Sequence, residues 1–287
     1  MLSITELIRS SSQTVYVLDV SPPRSGNDLL LQELLDLTPD VFSVAYNPGL
    51  SVRVNSVMLA SWVQNSTGIP TSFFLATRDM NKLALQSLLL GAQLHGLNNV
   101  TVVQGDAFSE TKLQYVKGVN DFTPTEFITA IKNMNFRKDF ENKNLIYPTD
   151  FCLGATVDLS KDLENEAELL HKKILLGSDY IVFQPFFDFD LPEKLFEIFY
   201  KKFHSHVDLP IIWGIQMLEN FSKSFSEIPN WVLDELLKGR PSIEIAQEMI
   251  EDLKNTQKVG SVYLVPPIFE NGRRNYEVAN ELLTLIR

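Results

Sequence analysis

Short runs of apolar residues recur along the chain, separated by polar segments with helical spacing. The runs are rich in Val, Ile, Phe and Tyr and are apolar throughout, rather than alternating with polar residues. Strands of this kind are typical of a parallel sheet that is covered on both faces. The pattern predicts strands over residues 15–20, 41–46, 70–77, 99–105, 151–157, 180–186, 211–216 and 261–267.

The segments between the predicted strands carry helix signals. One of them, 161–177, has acids at its start and Lys172 and Lys173 near its end, the order that the helix dipole favours. Another closes on Gly96, a residue type that commonly ends helices. The pattern predicts helices over 27–37, 81–96, 161–177, 241–255 and 275–286.

Repeated β-then-α units in a chain of 287 residues predict an α/β protein with a single closed (β/α)8 barrel, a TIM barrel. An open doubly wound sheet is the alternative, and it would usually carry a glycine-rich phosphate loop after the first strand. Here that loop reads SPPRSGND, with one glycine. No linker or repeat divides the chain, so we expect one domain over residues 1–287, with an excursion over 135–150.

Composition narrows the classes of function. The net charge of −11 argues against binding to nucleic acid or to an anionic membrane surface. No run approaches the length of a membrane span, and the first residues do not resemble a signal peptide, so we expect a cytoplasmic protein. The one cysteine, Cys152, lies in a predicted strand and is expected in the core. The four histidines have no partners with metal-ligand spacing, so no metal site is predicted.

Polar residues occupy the ends of the predicted strands, where α/β barrels carry their active sites. Asp19 and Gln184 stand out because each lies within an apolar run, where a polar group needs partners. Asp79 has a simpler alternative as a helix cap, and Asp106 as a turn residue. Together these side chains predict a polar pocket at one mouth of the barrel.

Several motifs, in order along most of the chain, carry a family resemblance. The chain resembles methylenetetrahydrofolate reductases, flavin-dependent barrels that reduce 5,10-methylenetetrahydrofolate to 5-methyltetrahydrofolate. The stretches that match are LDVSPPR, TPDVFSVAYNPGLSVR, LATRDMNKLALQSLLLGAQLHGLNNVTVVQGD, LLHKKILLGSDYIVFQPFFD and VGSVYLVPP.

The resemblance implies roles for the matching residues. Asp19 falls at the family's general acid, normally a glutamate, which protonates a nitrogen to open the methylene bridge. Asp106 falls at an acid close to the flavin, as a second catalytic residue. The flavin is then held by Thr77, Arg78, Asp79, Gly105, Asp106, Lys172 and Lys173, and the folate by Gln184, Phe187 and Gln216.

Departures from the family pattern leave the cofactor open between FAD, FMN and no flavin. Phe74, Ala45 and Gln104 replace residues that are typical near the flavin. The leading hypothesis is a reductase of methylenetetrahydrofolate that takes electrons from NAD(P)H or a partner protein. The alternative is a folate-binding barrel without redox chemistry, serving as a methyl-transfer component or partner subunit. Family members often associate through barrel helices, so a homo-oligomer is compatible with the resemblance.

Overall fold

The computed structural model describes residues 2–219, 222–270 and 272–286, apart from the side chain of Leu30. Eight strands form one closed barrel in chain order, and each pairs in parallel with its neighbours. The predicted TIM barrel is therefore confirmed. The strands are β1 Val15–Val20, β2 Val41–Val44, β3 Thr71–Ala76, β4 Asn99–Val103, β5 Cys152–Val157, β6 Tyr180–Phe183, β7 Ile211–Gln216 and β8 Ser261–Val265.

Helix α1 precedes β1, and the other helices follow the strands on the outside of the barrel. They are α1 Ile4–Ser10, α2 Ser56–Thr67, α3 Lys82–Leu94, α4 Glu110–Leu113, α5 Pro124–Asn135, α6 Leu163–Leu175, α7 Leu191–Phe203, α8 Asn230–Leu237, α9 Ser242–Thr256 and α10 Tyr276–Leu285. The helix predicted over 27–37 is instead a 3-10 helix over Asp28–Leu34. Asn81, rather than Asp79, caps α3, so the alternative interpretation of Asp79 as a helix cap is wrong.

The hydrophobic core has two layers. The larger layer lies between the strands and the surrounding helices, and the smaller one fills the barrel interior. Helix α1 packs Ile4, Leu7 and Ile8 against the interior layer, and Asn99 Oδ1 accepts a hydrogen bond from the Ile4 amide at 2.9 Å. Cys152 is buried in this interior layer, as predicted. The residues of α1 are thus fixed to the barrel strands by both packing and a buried hydrogen bond.

The excursion over 135–150 is a short hairpin-like segment outside the barrel, held by an antiparallel bridge between Lys138 and Asn144. Gln86 of α3 accepts a hydrogen bond from the Phe140 amide at 2.8 Å, which fixes the segment to the helix layer. Within the described ranges, no helix combines the length and apolar character that crossing a bilayer requires.

Candidate functional site

A cavity of about 950 Å³ opens at the carboxyl ends of the strands. Its walls come from residues of β1, β3, β4, β5, β6 and β8 and from loops at the same end of the barrel, including the loop after β2 and the segment between β4 and α5. This is the place where a TIM barrel holds its ligands. The lining residues that matter most to its chemistry are Asp19, Phe74, Thr77, Arg78, Gly105, Asp106, Thr156, Glu166, Lys172, Lys173, Gln184, Tyr263 and Arg274.

Asp19 is fully enclosed at one wall of this cavity, with 1% of its surface exposed. The Tyr263 hydroxyl donates to Oδ1 at 2.6 Å, and the Arg274 Nε donates to Oδ2 at 2.7 Å. Strand β8 pairs with β1 so that Tyr263 lies opposite Val17, on the same face as Asp19. Arg274 reaches the carboxylate from the loop after β8. Both oxygens of the predicted general acid therefore already have partners.

The ionisation of these partners follows from their enclosure. Burial, and next the Asp19 carboxylate, raise the pKa of the Tyr263 phenol well above its ordinary value. The hydroxyl therefore stays protonated and donates a hydrogen bond to Asp19. Burial alone would lower the pKa of Arg274, but the Asp19 carboxylate, together with Tyr276 and Tyr263, makes the net shift upward. The assembly is thus a carboxylate held between a phenol and a guanidinium.

We predict that the protein loses stability steeply above about pH 10. Tyr180, Tyr263 and Tyr276 are buried, and burial raises the pKa of each, whereas the same phenols ionise near their ordinary value in the unfolded chain. The unfolded state therefore loses protons first, and the free energy of unfolding falls by about 1.4 kcal/mol per pH unit for each tyrosine. Urea unfolding between pH 8 and 11 measures the slope. Tyr180→Phe should reduce this slope by one tyrosine's share, and an unchanged slope would contradict the explanation.

Arg78 and Asp79 pair with each other at the end of β3. Two hydrogen bonds of 2.6 Å join the guanidinium to the carboxylate, and Arg78 Nη1 donates to the Asp106 carbonyl at 2.8 Å. Hydrogen bonding to Asp79 raises the pKa of Arg78. Burial acts to raise the pKa of Asp79, but Arg78 overcomes it and the net shift is downward. Asp79 lies outside the cavity lining, so it holds Arg78 in place rather than facing a ligand.

The opposite wall is formed by the end of β5 and by α6. Lys173 donates from Nζ to the Thr156 carbonyl at 2.7 Å, and burial lowers the pKa of this lysine. Lys172, next to it, is exposed at the rim. Glu166 is buried and accepts a hydrogen bond from the Asp158 amide at 3.2 Å. Of the two lysines predicted to bind the cofactor, Lys172 is therefore the one exposed to solvent.

The predicted substrate residues separate into two groups. Gln184 follows β6 and lines the cavity, and its carboxamide forms no hydrogen bond with any of the described residues. Gln216 lies outside the lining, where Nε2 donates to the Lys223 carbonyl at 2.6 Å and Oε1 accepts from the Phe225 amide at 3.1 Å. Phe187 is buried in the outer core layer. Only Gln184 of the three lies at the cavity.

The model of the methylenetetrahydrofolate reductase family matches residues 3–265. The chain belongs to this family. Methylenetetrahydrofolate reductase 2 of Schizosaccharomyces pombe is 23% identical to this chain over 190 residues. These residues are 65% of this chain and 29% of the yeast protein. The chain thus matches less than a third of that relative's length.

A solved structure shares the fold. It is a Clostridium thermocellum protein that binds two copies of 5-methyl-5,6,7,8-tetrahydrofolic acid, with a TM-score of 0.66 and 13% identity over 97% of each chain. At that identity the likeness shows the barrel architecture alone. Assignment of this chain to the methylenetetrahydrofolate reductase family rests on the family model.

Tyr263 and Arg274 are the site residues that sequence reasoning missed. Tyr263 looks like one more apolar strand position in SVYLVPP, and Arg274 lies 255 residues from Asp19 in sequence, within a loop. The sequence did contain a signal for a partner of Asp19. A buried acid on β1 requires a cationic or hydroxyl partner, and a closed barrel makes β8 the neighbour of β1. Among the described residues, no cluster of His, Cys, Asp and Glu is placed to hold a metal ion.

Proposed function

We propose that the barrel mouth binds a reduced folate. The observation that carries this proposal is the unpartnered carboxamide of Gln184, which lines the cavity at the end of β6. An amide at this position offers a donor and an acceptor side by side, the pattern that the edge of a pterin ring complements. Membership of the methylenetetrahydrofolate reductase family and the fold of a barrel that binds 5-methyltetrahydrofolic acid support the same ligand class.

The walls around Gln184 suit a flat, partly apolar ring. Phe74 and Val182 also line the cavity and give it apolar surface. Gly105 has a φ of 87°, and a Cβ there would lie 3.2 Å from Ala76 and 3.3 Å from Arg78. The backbone can therefore turn back at this point without a side chain crowding the Arg78 guanidinium. In this proposal Gln184 orients the ring and the enclosed mouth excludes water from it.

Flavin-dependent reduction of methylenetetrahydrofolate is the second candidate function, and one observation favours it. The Thr77 hydroxyl is buried, lacks a hydrogen-bond partner among the described residues, and belongs to a residue that lines the cavity. An orphaned group of this kind fits a missing polar ligand. Thr77, Gly105 and Lys172 would then hold FAD or FMN, which supplies hydride transfer when bound. Electrons would come from NAD(P)H or a partner protein.

The test of folate binding is isothermal titration with (6S)-5-methyltetrahydrofolate. We expect the wild-type protein to bind it and Gln184→Leu to weaken binding roughly tenfold, because the pterin edge loses its hydrogen bonds in an enclosed site. Gln93→Leu, on the outer surface of α3, is the matched control and should leave the affinity unchanged. Equal affinity of Gln184→Leu and the wild type would contradict the role of Gln184 on which the proposal rests.

The flavin candidate is checked in the same preparation. Incubation with FAD or FMN, followed by removal of free flavin, should leave a yellow protein with flavin absorbance if this candidate is correct. A protein that binds the folate but stays colourless would leave folate binding as the function and remove the redox step.

A further inference from the structure

A second cavity, of about 380 Å³, lies at the opposite end of the barrel from the mouth. It is placed beside the amino end of β7, among α1, α7, the loop that follows α7 and the connection from α9 to β8. None of the described residues that line it also lines the mouth. Its chemistry is therefore separate from that of the proposed folate site.

The indole of Trp213 lines this second cavity and has an unused donor. Trp213 is 2% exposed, and its Nε1 has no hydrogen-bond partner among the described residues. Phe183 stacks on the indole at a centroid distance of 4.9 Å, and Phe196 meets it nearly edge-on at 6.3 Å, so these neighbours offer the N–H no oxygen or nitrogen. A buried tryptophan N–H usually has an acceptor. We therefore expect a molecule in the cavity to supply one.

The charged and polar groups of the lining favour an anion. Lys258 and Gln257 come from the connection before β8, and His206 from the loop after α7. No Asp or Glu is found among the described lining residues, although acids outnumber Lys and Arg by 36 to 25 in the chain. Lys258 is exposed and forms no ion pair with any described residue, so its ammonium is available to a ligand.

The apolar part of the lining favours a flat ring. Phe196 and Phe199 of α7 join Trp213 there, and the imidazole of His206 is stacked on Tyr200 at a centroid distance of 4.8 Å. Aromatic side chains pack against another ring by stacking or by edge-to-face contact. The volume lies at the lower end of the range for small-molecule sites, which suits a ligand of one or two rings.

We propose that this second cavity binds a small aromatic carboxylate. The ring of the ligand packs among Phe196, Phe199 and Trp213, and its carboxylate supplies the acceptor that Trp213 Nε1 lacks. Lys258 adds electrostatic attraction from the rim, on a side chain long enough to follow the ligand. The proposal does not depend on folate binding, because the two cavities share no described lining residue.

The test is titration of the ¹⁵N-labelled protein with 2-naphthoate, followed by NMR of the indole N–H groups. The chain has three tryptophans and therefore three indole signals. Trp213→Phe identifies the relevant signal, and Trp62→Phe with Trp231→Phe identifies it by elimination if Trp213→Phe does not fold. We expect 2-naphthoate to move the Trp213 signal downfield, as a new hydrogen bond does, with half-saturation at about 1 mM or below for a ligand of this size.

Two comparisons show whether the carboxylate and this cavity are responsible. Lys258→Gln should weaken 2-naphthoate about three- to fivefold, the effect of one exposed charge, and leave the neutral 2-naphthamide unchanged. Lys201→Gln, on α7 outside the lining, is the matched control and should change neither. A Trp213 signal that does not move overturns the proposal, and so does equal affinity of Lys258→Gln and the wild type for 2-naphthoate. Loss of the response in Gln184→Leu would place the ligand at the mouth and overturn it as well.

Discussion

Replacing Arg274 with methionine is expected to destabilise the protein by about 3–5 kcal/mol, the cost of leaving a buried carboxylate without its cation. Asp19 is 1% exposed, so its carboxylate is poorly hydrated and depends on the guanidinium, and the Tyr263 hydroxyl satisfies only one of its oxygens. Methionine has a similar length and no charge, so the change removes the ion pair while filling most of the same space. Urea unfolding at pH 7 measures the effect.

Two further variants make the Arg274 prediction specific. Asp19→Asn/Arg274→Met leaves no charge buried, so it should recover most of the lost stability. Arg273→Met is the matched control, because Arg273 pairs with Glu33 at 3.3 Å on the surface, where such pairs contribute about 1 kcal/mol or less. A double variant no more stable than Arg274→Met alone would show that the Asp19 charge is not the source of the loss.

The barrel itself could be predicted from the sequence because its strands are buried on both faces. Apolar runs such as 15–20 and 211–216 coincide with β1 and β7. Strand ends were harder to place, because hydrophobicity continues past the last paired residue. The run 180–186 extends beyond β6, which ends at Phe183, since Phe186 and Phe187 continue into the core without pairing in the sheet.

The helices that the pattern did not predict show the limit of periodicity. In α2, buried side chains come from several sides of the helix, including Ser56, Val57 and Gln64, so no clean apolar stripe marks it. The helix is fixed by contacts that sequence spacing does not show. Gln64, for example, donates from Nε2 to the Gly96 carbonyl at 2.9 Å and accepts from the Thr71 amide at 3.2 Å.

The candidate site could likewise be predicted only in part from the sequence. Sequence placed Asp19 and Gln184 at the mouth because a strand position in a known fold fixes where a residue lies. It could not distinguish Gln184 from Gln216, since both are amides at strand ends. The difference lies in the loop after β7. There the Lys223 carbonyl and the Phe225 amide form hydrogen bonds with the Gln216 carboxamide. Long-range pairing of this kind depends on tertiary structure alone.

Gly214→Ala is expected to be the most damaging single methyl addition near the site. A Cβ at this position of β7 would lie 2.3 Å from the Phe183 carbonyl oxygen, 2.6 Å from the Pro185 nitrogen and 2.7 Å from the Gln184 carbonyl carbon. These are backbone atoms, which cannot rotate away as a side chain can. Strands β6 and β7 must separate, and overpacking of this severity costs about 3 kcal/mol.

The same displacement should reach the ligand, because the segment that must move carries Gln184. We therefore expect Gly214→Ala to weaken binding of 5-methyltetrahydrofolate as well as to lower the free energy of unfolding, measured by isothermal titration and urea unfolding. Gly91→Ala is the matched control, since nothing lies within 4 Å of a Cβ at Gly91 in α3. There the same methyl group should stabilise the helix by about 0.5–1 kcal/mol and leave binding unchanged. If Gly214→Ala proved as stable as the wild type, the close approach of β7 to the Gln184 backbone would be wrong, and with it the link between the packing of β7 and the proposed recognition of folate by Gln184.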